Sequence, residues 1–350
     1  MYELDLHPVE GSGAGGKSGD AITARFTTPT GRQAVIIIDG GFTDDGQRIV
    51  DHVRDYYGTS VVDLVISTHP DTDHINGLAT VVTELDVTEL MVHQPWLHAA
   101  DASDFSNLEA IEKLVAVAAE RGTTVREPFT GEQACDGAVT ILGPSPDFYT
   151  ECVARHLQEV ATGTAAARMA SATPAGRTLS KATALLTRAL SLLPMVETLG
   201  EDGDSGPRND SSVITLLQLD GERFLLTGDA GITSLWEAAT AYETHLGGPF
   251  STFPLRFLQP PHHGSRRNLS PSVLDHIIGP KNRPHGVTGA TISAADDDLK
   301  HPSPKVANAL LRRGVKSSVT GSMTICWHSS DAPDRGWTTA PTLPPMSEDD

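Results

Sequence analysis

Thr68-His69-Pro70-Asp71-Thr72-Asp73-His74-Ile75-Asn76 is the stretch whose reading decides the fold. It follows the apolar run Val61-Val62-Asp63-Leu64-Val65-Ile66, which reads as a buried strand. Pro70 and the Asp/Thr cluster end that strand in a loop. Ile75 to Leu85 reads as the start of a helix, with Asp73 near its N-terminus. Four metal-capable side chains, His69, Asp71, Asp73 and His74, therefore share one tight turn at the C-terminal end of a strand. Two carboxylates this close repel each other unless a proton or a cation lies between them, and a divalent metal removes that repulsion. The plainer reading is a solvated acidic loop with incidental histidines. The joint presence of this ligand set and a strand-loop-helix context argues against it.

The 350 residues suffice for one large domain or two smaller ones. Apolar and charged fractions of 39% and 20% are those of a globular protein. No apolar run approaches the length that spans a bilayer, so no membrane contact is expected. The Met1–Asp5 start lacks a basic and then apolar leader pattern. Cys135, Cys152 and Cys326 are few, odd in number and far apart, which argues against a disulfide framework and fits a cytoplasmic location. A formal net charge of −19 excludes nucleic-acid binding through a broad basic face, while a local positive site or a bound metal could still attract an anion.

Tyr2 to Val9 alternates as a strand. Gly11-Ser12-Gly13-Ala14-Gly15-Gly16-Lys17-Ser18 then matches the phosphate-loop pattern G-x-x-x-x-G-K-[ST] letter for letter. A phosphate loop must open into a helix whose N-terminus holds the phosphates. Here Gly19-Asp20 leads instead into Ala21–Phe26, which reads as another strand, so a hairpin is expected. Ala34–Ile38 is a buried strand ending in the sharp turn Asp39-Gly40-Gly41. Gly46 to Tyr57 and Leu108 to Glu120 read as helices, the second with Leu108, Ile111, Leu114, Val115 and Ala118 at helical spacing. Strands are expected at Leu90–His93 and Ala138–Leu142. His93 and His98 are candidate extra ligands, although a lone histidine is more often structural.

From about 148 to 205 the chain turns Ala-rich and helical, with Leu179, Leu186, Leu190 and Leu193 tracing one stripe. It reads as an insertion of two helices: a lid, a homo-oligomer contact or a plain packing element. Strands Val213–Leu219 and Arg223–Leu226 form a hairpin about Asp220-Gly221, and the second ends in Thr227-Gly228-Asp229. Leu255–Gln259 is the next strand, ending in Pro260-Pro261-His262-His263-Gly264-Ser265. A strand at Ala290–Ser293, the segment His301-Pro302-Ser303-Pro304 and a helix over Lys305–Arg313 follow. Residues 1–333 are read as one hydrolase domain, and the Pro/Thr-rich acidic tail 334–350 as disordered.

Taken together, His69-x-Asp71-x-Asp73-His74, Leu226-Thr227-Gly228-Asp229, Pro261-His262-His263-Gly264-Ser265 and His301-Pro302-Ser303-Pro304 resemble the metallo-β-lactamase fold superfamily. Within it, the closest likeness is to the soluble hydrolase domain of the DNA-uptake channel proteins of competence. The resemblance runs from about residue 2 to about 328 and implies an α/β fold, a four-layer αββα sandwich. It also implies one or two divalent ions, Zn or Mn, between the sheets. Carried over position by position, His69 and Asp71 serve one metal, Asp73, His74 and His263 serve the other, and Asp229 bridges. The superfamily's usual loop has histidine where Asp71 stands. The usual histidine before the bridging aspartate has no match, Gly143 or Ser145 falling where it would lie. Carboxylate-rich ligation shifts preference from zinc toward manganese or another harder ion.

Two cations close together lower the pKa of a shared water and hold an anionic substrate for in-line attack. In that reading Asp73 orients the water or accepts its proton, and His301 or Ser265 contacts the scissile or leaving group. His262 and Arg266 are further candidates, and Arg266 with Arg267 could hold a phosphate. The expectation is a metal-dependent hydrolase of phosphodiester bonds in a nucleic acid or an anionic small molecule. Its rivals are a hydrolase of a small ester, lactone or amide, a non-catalytic interaction protein that keeps the fold, and a phosphate-loop NTPase.

Overall fold

A computed structural model describes residues 1–11, 17–163, 197–281, 285–286 and 289–348. Its strands are β1 (Tyr2–Leu6), β2 (Ala21–Thr27), β3 (Gln33–Gly40), β4 (Val61–Ile66), β5 (Asp86–Met91), β6 (Thr124–Arg126), β7 (Gln133–Ala134), β8 (Val139–Gly143), β9 (Ile214–Leu219), β10 (Glu222–Leu226), β11 (Phe257–Leu258), β12 (Gly289–Ile292), β13 (Lys316–Val319) and β14 (Ile325–His328). Among the described residues they build two seven-stranded sheets, ordered β14-β1-β2-β3-β4-β5-β6 and β13-β12-β11-β10-β9-β8-β7.

Period-two alternation in nearly continuous apolar strands explains the layering. Ala34, Ile36 and Ile38 of β3 point between the sheets, toward Leu217, Phe224, Leu226 and Phe257. Val35 and Ile37 point the other way, into a core shared with helices α1 (Asp45–His52), α3 (Leu78–Glu84) and α4 (Leu108–Arg121). On the second sheet Ile214, Leu216 and Leu225 pack outward against α6 (Ile232–Leu246), α7 (Pro271–Ile277) and α8 (Pro304–Arg312). Three apolar layers between four structural ones give the αββα sandwich.

Most expected elements are present with shifted ends. The helix expected from Ile75 is two pieces, α2 (Thr72–Ile75) and α3. They part at Gly77, where a Cβ would lie 2.0 Å from the Gly40 carbonyl oxygen, so the chain must pass too close to β3 for any side chain. The strand expected over Leu255–Gln259 shrinks to β11, flanked by Pro254 and Pro260, which cannot donate to a ladder. At the glycine-rich stretch, β1 and β2 pair antiparallel and no helix follows Ser18, as the hairpin reading requires. Residues 12–16 of that stretch lie outside the described residues. So does the 164–196 part of the expected insertion, with its leucine stripe. The earlier part is helix α5 (Pro146–Thr162), capped by the Ser145 hydroxyl, which accepts from Phe148 N at 3.3 Å. Its Tyr149 and Val153 belong to the helix–sheet core, so this helix packs as part of the domain.

Of the tail 334–350, expected to be disordered, the described residues 334–348 lie along the body instead. The Arg335 guanidinium reaches Glu3 Oε1 at 2.9 Å and Asp5 Oδ2 at 2.9 Å, both carboxylates fully buried, and stacks over Trp337 at 4.4 Å. Farther on, Met346 N donates to Asn308 Oδ1 at 2.9 Å, and Glu348 pairs with Arg312 at 2.9 Å. Composition reported the tail's polarity but not the buried charges of β1 that it satisfies. Arg335→Ala should lower unfolding stability by about 3 kcal/mol, because it takes a cation from two buried carboxylates, leaving Glu3 to Arg25 and Asp5 to His52 and Tyr57. Urea denaturation measures this, and an unchanged midpoint would show that the tail is not an anchor.

Candidate metal centre

The strand ends of the two sheets deliver the site. The turn after β4 carries His69, Asp71 and, at the start of α2, Asp73 and His74. The turn after β10 carries Asp229, and the turn after β11 carries His262 and His263. Asp229 is 3% exposed and lies among four imidazoles. Its Oδ2 is 3.6 Å from His69 Nε2 and 3.4 Å from His262 Nδ1. Its Oδ1 is 3.4 Å from His74 Nε2 and 3.9 Å from His263 Nε2. Asp73 Oδ2 stands 3.7 Å from His263 Nε2 and 4.0 Å from His74 Nε2. Asp71 Oδ2 is 3.9 Å from His69 Nε2.

His74, His263 and His69 are each oriented from behind, as metal-ligating imidazoles are. Asp39 Oδ2 lies 2.8 Å from His74 Nδ1, and Asp39 is itself held by the Thr68 amide at 2.8 Å and the Thr68 hydroxyl at 2.5 Å. His263 Nδ1 faces the Ser293 carbonyl oxygen at 2.8 Å, which makes it the donor and, in the neutral ring, leaves Nε2 a lone pair. His69 Nδ1 lies 3.1 Å from the Thr68 hydroxyl. The inward atoms His69 Nε2, His74 Nε2, His263 Nε2 and Asp229 Oδ1 are buried and make no hydrogen bond among the described residues. Buried polar atoms are normally satisfied. His69, His74 and Asp229 offer ligand atoms within 4.8 Å of one another, and so do Asp73, His74 and His263. Orphaned lone pairs on nitrogen and carboxylate oxygen, converging at this spacing, fit a divalent cation centre.

The electrostatics carry the same imprint. Burial pushes Asp229 and Asp39 above the usual carboxylate range. Burial, with the charges of Asp73 and Asp229, pushes Asp71 up to about 6 against the opposing Arg208. For Asp73 burial is outweighed by the imidazoles of His263, His74 and His69, which hold it low. Burial alone would lower His263, but Asp229 and Asp73 raise it to about 9. His74 is likewise held well above the histidine range by Asp229 and Asp39 against its burial. Burial sends His69 the other way, well below that range.

The structure gathers His69, Asp71, Asp73, His74, Asp229 and His263, and sets His262 beside them. His262 also approaches Asn209 Nδ2 at 2.6 Å. His301 lies at the rim, its ring 5.5 Å from His262 and 5.9 Å from His263, with Nδ1 against Asp298 Oδ2 at 3.0 Å. Ser265 is buried in the same turn and its hydroxyl accepts from Arg267 N at 3.3 Å. Arg266 and Arg267 are exposed. His93 is not brought in: it stacks on Tyr149 at 4.0 Å, 3.8 Å from Glu127, behind a small cavity that it shares with His69. His98 pairs with Glu127 at 2.9 Å, away from the cluster. Neither Gly143 nor Ser145 supplies the absent ligand. Arg208 occupies that side instead, 2.8 Å from Asp71 Oδ1.

Sequence reading missed Asp20, Asp39, Arg208 and Asp298. Asp39 alone carried a usable signal, since it ends a buried strand as Asp229 does.

Residues 30–152 match the family model described as the metallo-beta-lactamase superfamily; that span holds His69 to His74 and ends before Asp229 and His263. The two-sheet α/β architecture is that of the metallo-β-lactamase fold. No curated protein matches the chain. Among solved structures, a Thermotoga maritima protein assigned to the metallo-β-lactamases is similar at 14% identity and a TM-score of 0.34, over 65% of this chain and 78% of that one. The Rm3 metallo-β-lactamase is similar at 12% identity and a TM-score of 0.35, over 89% of this chain and 91% of that one. The SMB-1 enzyme bound to 2-mercaptoethanesulfonate is similar at 11% and 0.35, over 88% and 93%. No described helix is long and apolar enough to cross a membrane.

Ligation requires neutral imidazole, whereas His263 stays charged in the metal-free site up to about pH 9. Loading with Zn²⁺ or Mn²⁺ at pH 7 should therefore release protons, and affinity should climb with pH and level off above about 9. Calorimetry in buffers of differing ionisation enthalpy checks the release. A heat independent of buffer would contradict the ligand assignment.

Proposed function

We propose that this chain is a metal-dependent hydrolase of phosphodiester bonds, acting on a nucleic acid or a smaller anionic ester. The observation that carries the reading is the convergence of three unsatisfied Nε2 atoms and Asp229 Oδ1 where strand ends of both sheets meet. His69, Asp71 and Asp229 would hold one divalent ion. Asp73, His74, His263 and Asp229 would hold the other. Bound there, such ions supply an acidified water and positive charge for the transition state.

The remaining steps belong to side chains. Asp73, kept ionised by its imidazole neighbours, orients the attacking water and accepts its proton. His301, with Nδ1 committed to Asp298, presents Nε2 to contact the scissile or leaving group. Ser265 contacts the scissile group, and Arg208 and Arg266 hold its anionic oxygens. These cations favour a phosphodiester over a neutral lactone or amide, even in a chain of net charge −19. A role like that of the soluble hydrolase domain of competence DNA-uptake channels falls within this proposal. So do a manganese preference and a cytoplasmic location.

Asp229→Ala and His263→Ala should each lower hydrolysis of bis-nitrophenyl phosphate at least about 10²–10³-fold, since each removes charge stabilisation aimed at the reaction. His98→Ala should stay near parental rates. Circular dichroism should look native throughout, because neither change removes much buried apolar surface. Parental activity and metal content in both centre variants would place the chemistry elsewhere.

A further inference from the structure

The glycine-rich stretch Gly11–Ser18 is accounted for by no nucleotide chemistry, yet its continuation reaches the metal centre. Lys17 is exposed. Ser18 is buried, donates its hydroxyl to Asp298 Oδ2 at 2.7 Å and accepts from Ala295 N at 3.1 Å. At Gly19 a Cβ would lie 2.4 Å from the Asp73 carbonyl oxygen, so only glycine lets the hairpin press against the metal-binding turn. The next residue is pinned on both sides: Asp20 N donates to Asp73 O at 3.1 Å, and Asp20 O accepts from Gly41 N at 2.8 Å.

The side chain so placed is 1% exposed. Its Oδ2 accepts from Gln259 Nε2 at 2.9 Å and stands 3.8 Å from His74 Nδ1. Its Oδ1 has no hydrogen-bond partner among the described residues. Asp20 also lies within 4.8 Å, ligand atom to ligand atom, of Asp229 and His263 together, and of Asp39 and His74 together. A buried carboxylate with one free oxygen, facing other carboxylates, is costly unless a cation is near. Resting on the metal-centre reading above, we propose that Asp20 is a further carboxylate of that centre, its free Oδ1 serving a cation shared with Asp229 and His263. No motif assigns this residue. Its position comes from the hairpin turn, and it tilts the donor set toward oxygen and so toward a hard ion such as Mn²⁺.

Asp20→Asn tests this, because the amide oxygen can still accept from Gln259 while the charge is lost. Two quantities are read: Mn²⁺ affinity by calorimetry, and the melting temperature with and without Mn²⁺. The variant should bind Mn²⁺ about 10–100-fold more weakly, and its Mn²⁺-induced rise in melting temperature should shrink. Without metal it should melt at or above the parental temperature, since a repulsion has been removed. Parental Mn²⁺ affinity, or a lower melting temperature in the metal-free variant, would overturn the inference and leave Asp20 a structural acceptor. If Asp20→Asn fails to fold, Asp20→Ser is read by the same pair of measurements. A parent that takes up neither Mn²⁺ nor Zn²⁺ overturns the metal-centre reading and this inference with it. Equal affinities in parent and variant overturn this inference alone.

Discussion

The burial of Asp229 among four imidazoles is the constraint on which the rest depends. A carboxylate 3% exposed cannot keep its charge without counter-charge. Its neighbours Asp20 and Asp73 deepen the deficit. Without metal, protons on His74 and His263 meet it, which is why both stand above the ordinary histidine range. A cation meets the same need with more charge in less space. A cation and protons therefore compete for one electrostatic vacancy, and the second nitrogen of His69, His74 and His263 is engaged so that only the inward one takes part.

The sandwich supplies this arrangement with little local machinery. Apolar strands of alternating facing hold the two sheets against each other through Ile36, Ile38, Leu217 and Phe224. That packing brings the end of β4 opposite the ends of β10 and β11. The ligand-bearing turns are short, and backbone contacts tie one to another: Val213 N donates to Thr68 O at 3.0 Å, and His262 N to Gly228 O at 3.0 Å. His262 and His263 both adopt left-handed backbone angles, φ 49° and 54°, and Asp39 does so at 57°. Non-glycine residues held there carry strain, which the surrounding structure must over-determine. Such residues cluster where side-chain direction matters more than backbone comfort.

The two sides of the candidate centre are built differently. Asp73, His74, His263 and Asp229 form a complete donor set on one side. On the other, His69 and Asp71 face Arg208, whose guanidinium takes up part of the Asp71 charge. A fixed positive charge thus stands beside the Asp71 carboxylate. This asymmetry gives the two positions unequal demands on a cation and gives the mouth of the site a handle for an anion.

The ligand turn His69–His74, Asp229 and the pair at His262 and His263 were legible because each follows an apolar strand and interrupts it with residue types costly to bury. Local order also exposed the hairpin nature of the glycine-rich stretch: a strand pattern follows Ser18, and strand propensity does not depend on what lies across the fold. By itself, then, the sequence showed the strand ends and the residues of the candidate cluster, and its family resemblance implied the αββα layering. Tertiary structure alone decided the rest. Asp20, Arg208 and Asp298 sit in no recognisable pattern, and their roles come from partners 50 or more residues away, Gln259 for Asp20 and Asp71 for Arg208, with Ser18 for Asp298. The tail from 334 looked unstructured because it is Pro/Thr-rich and acidic, yet Arg335 is held by buried carboxylates of β1. Apolar periodicity is a local property that a chain displays along its length. Charge compensation is a pairwise property across space, and only folding brings the pairs together.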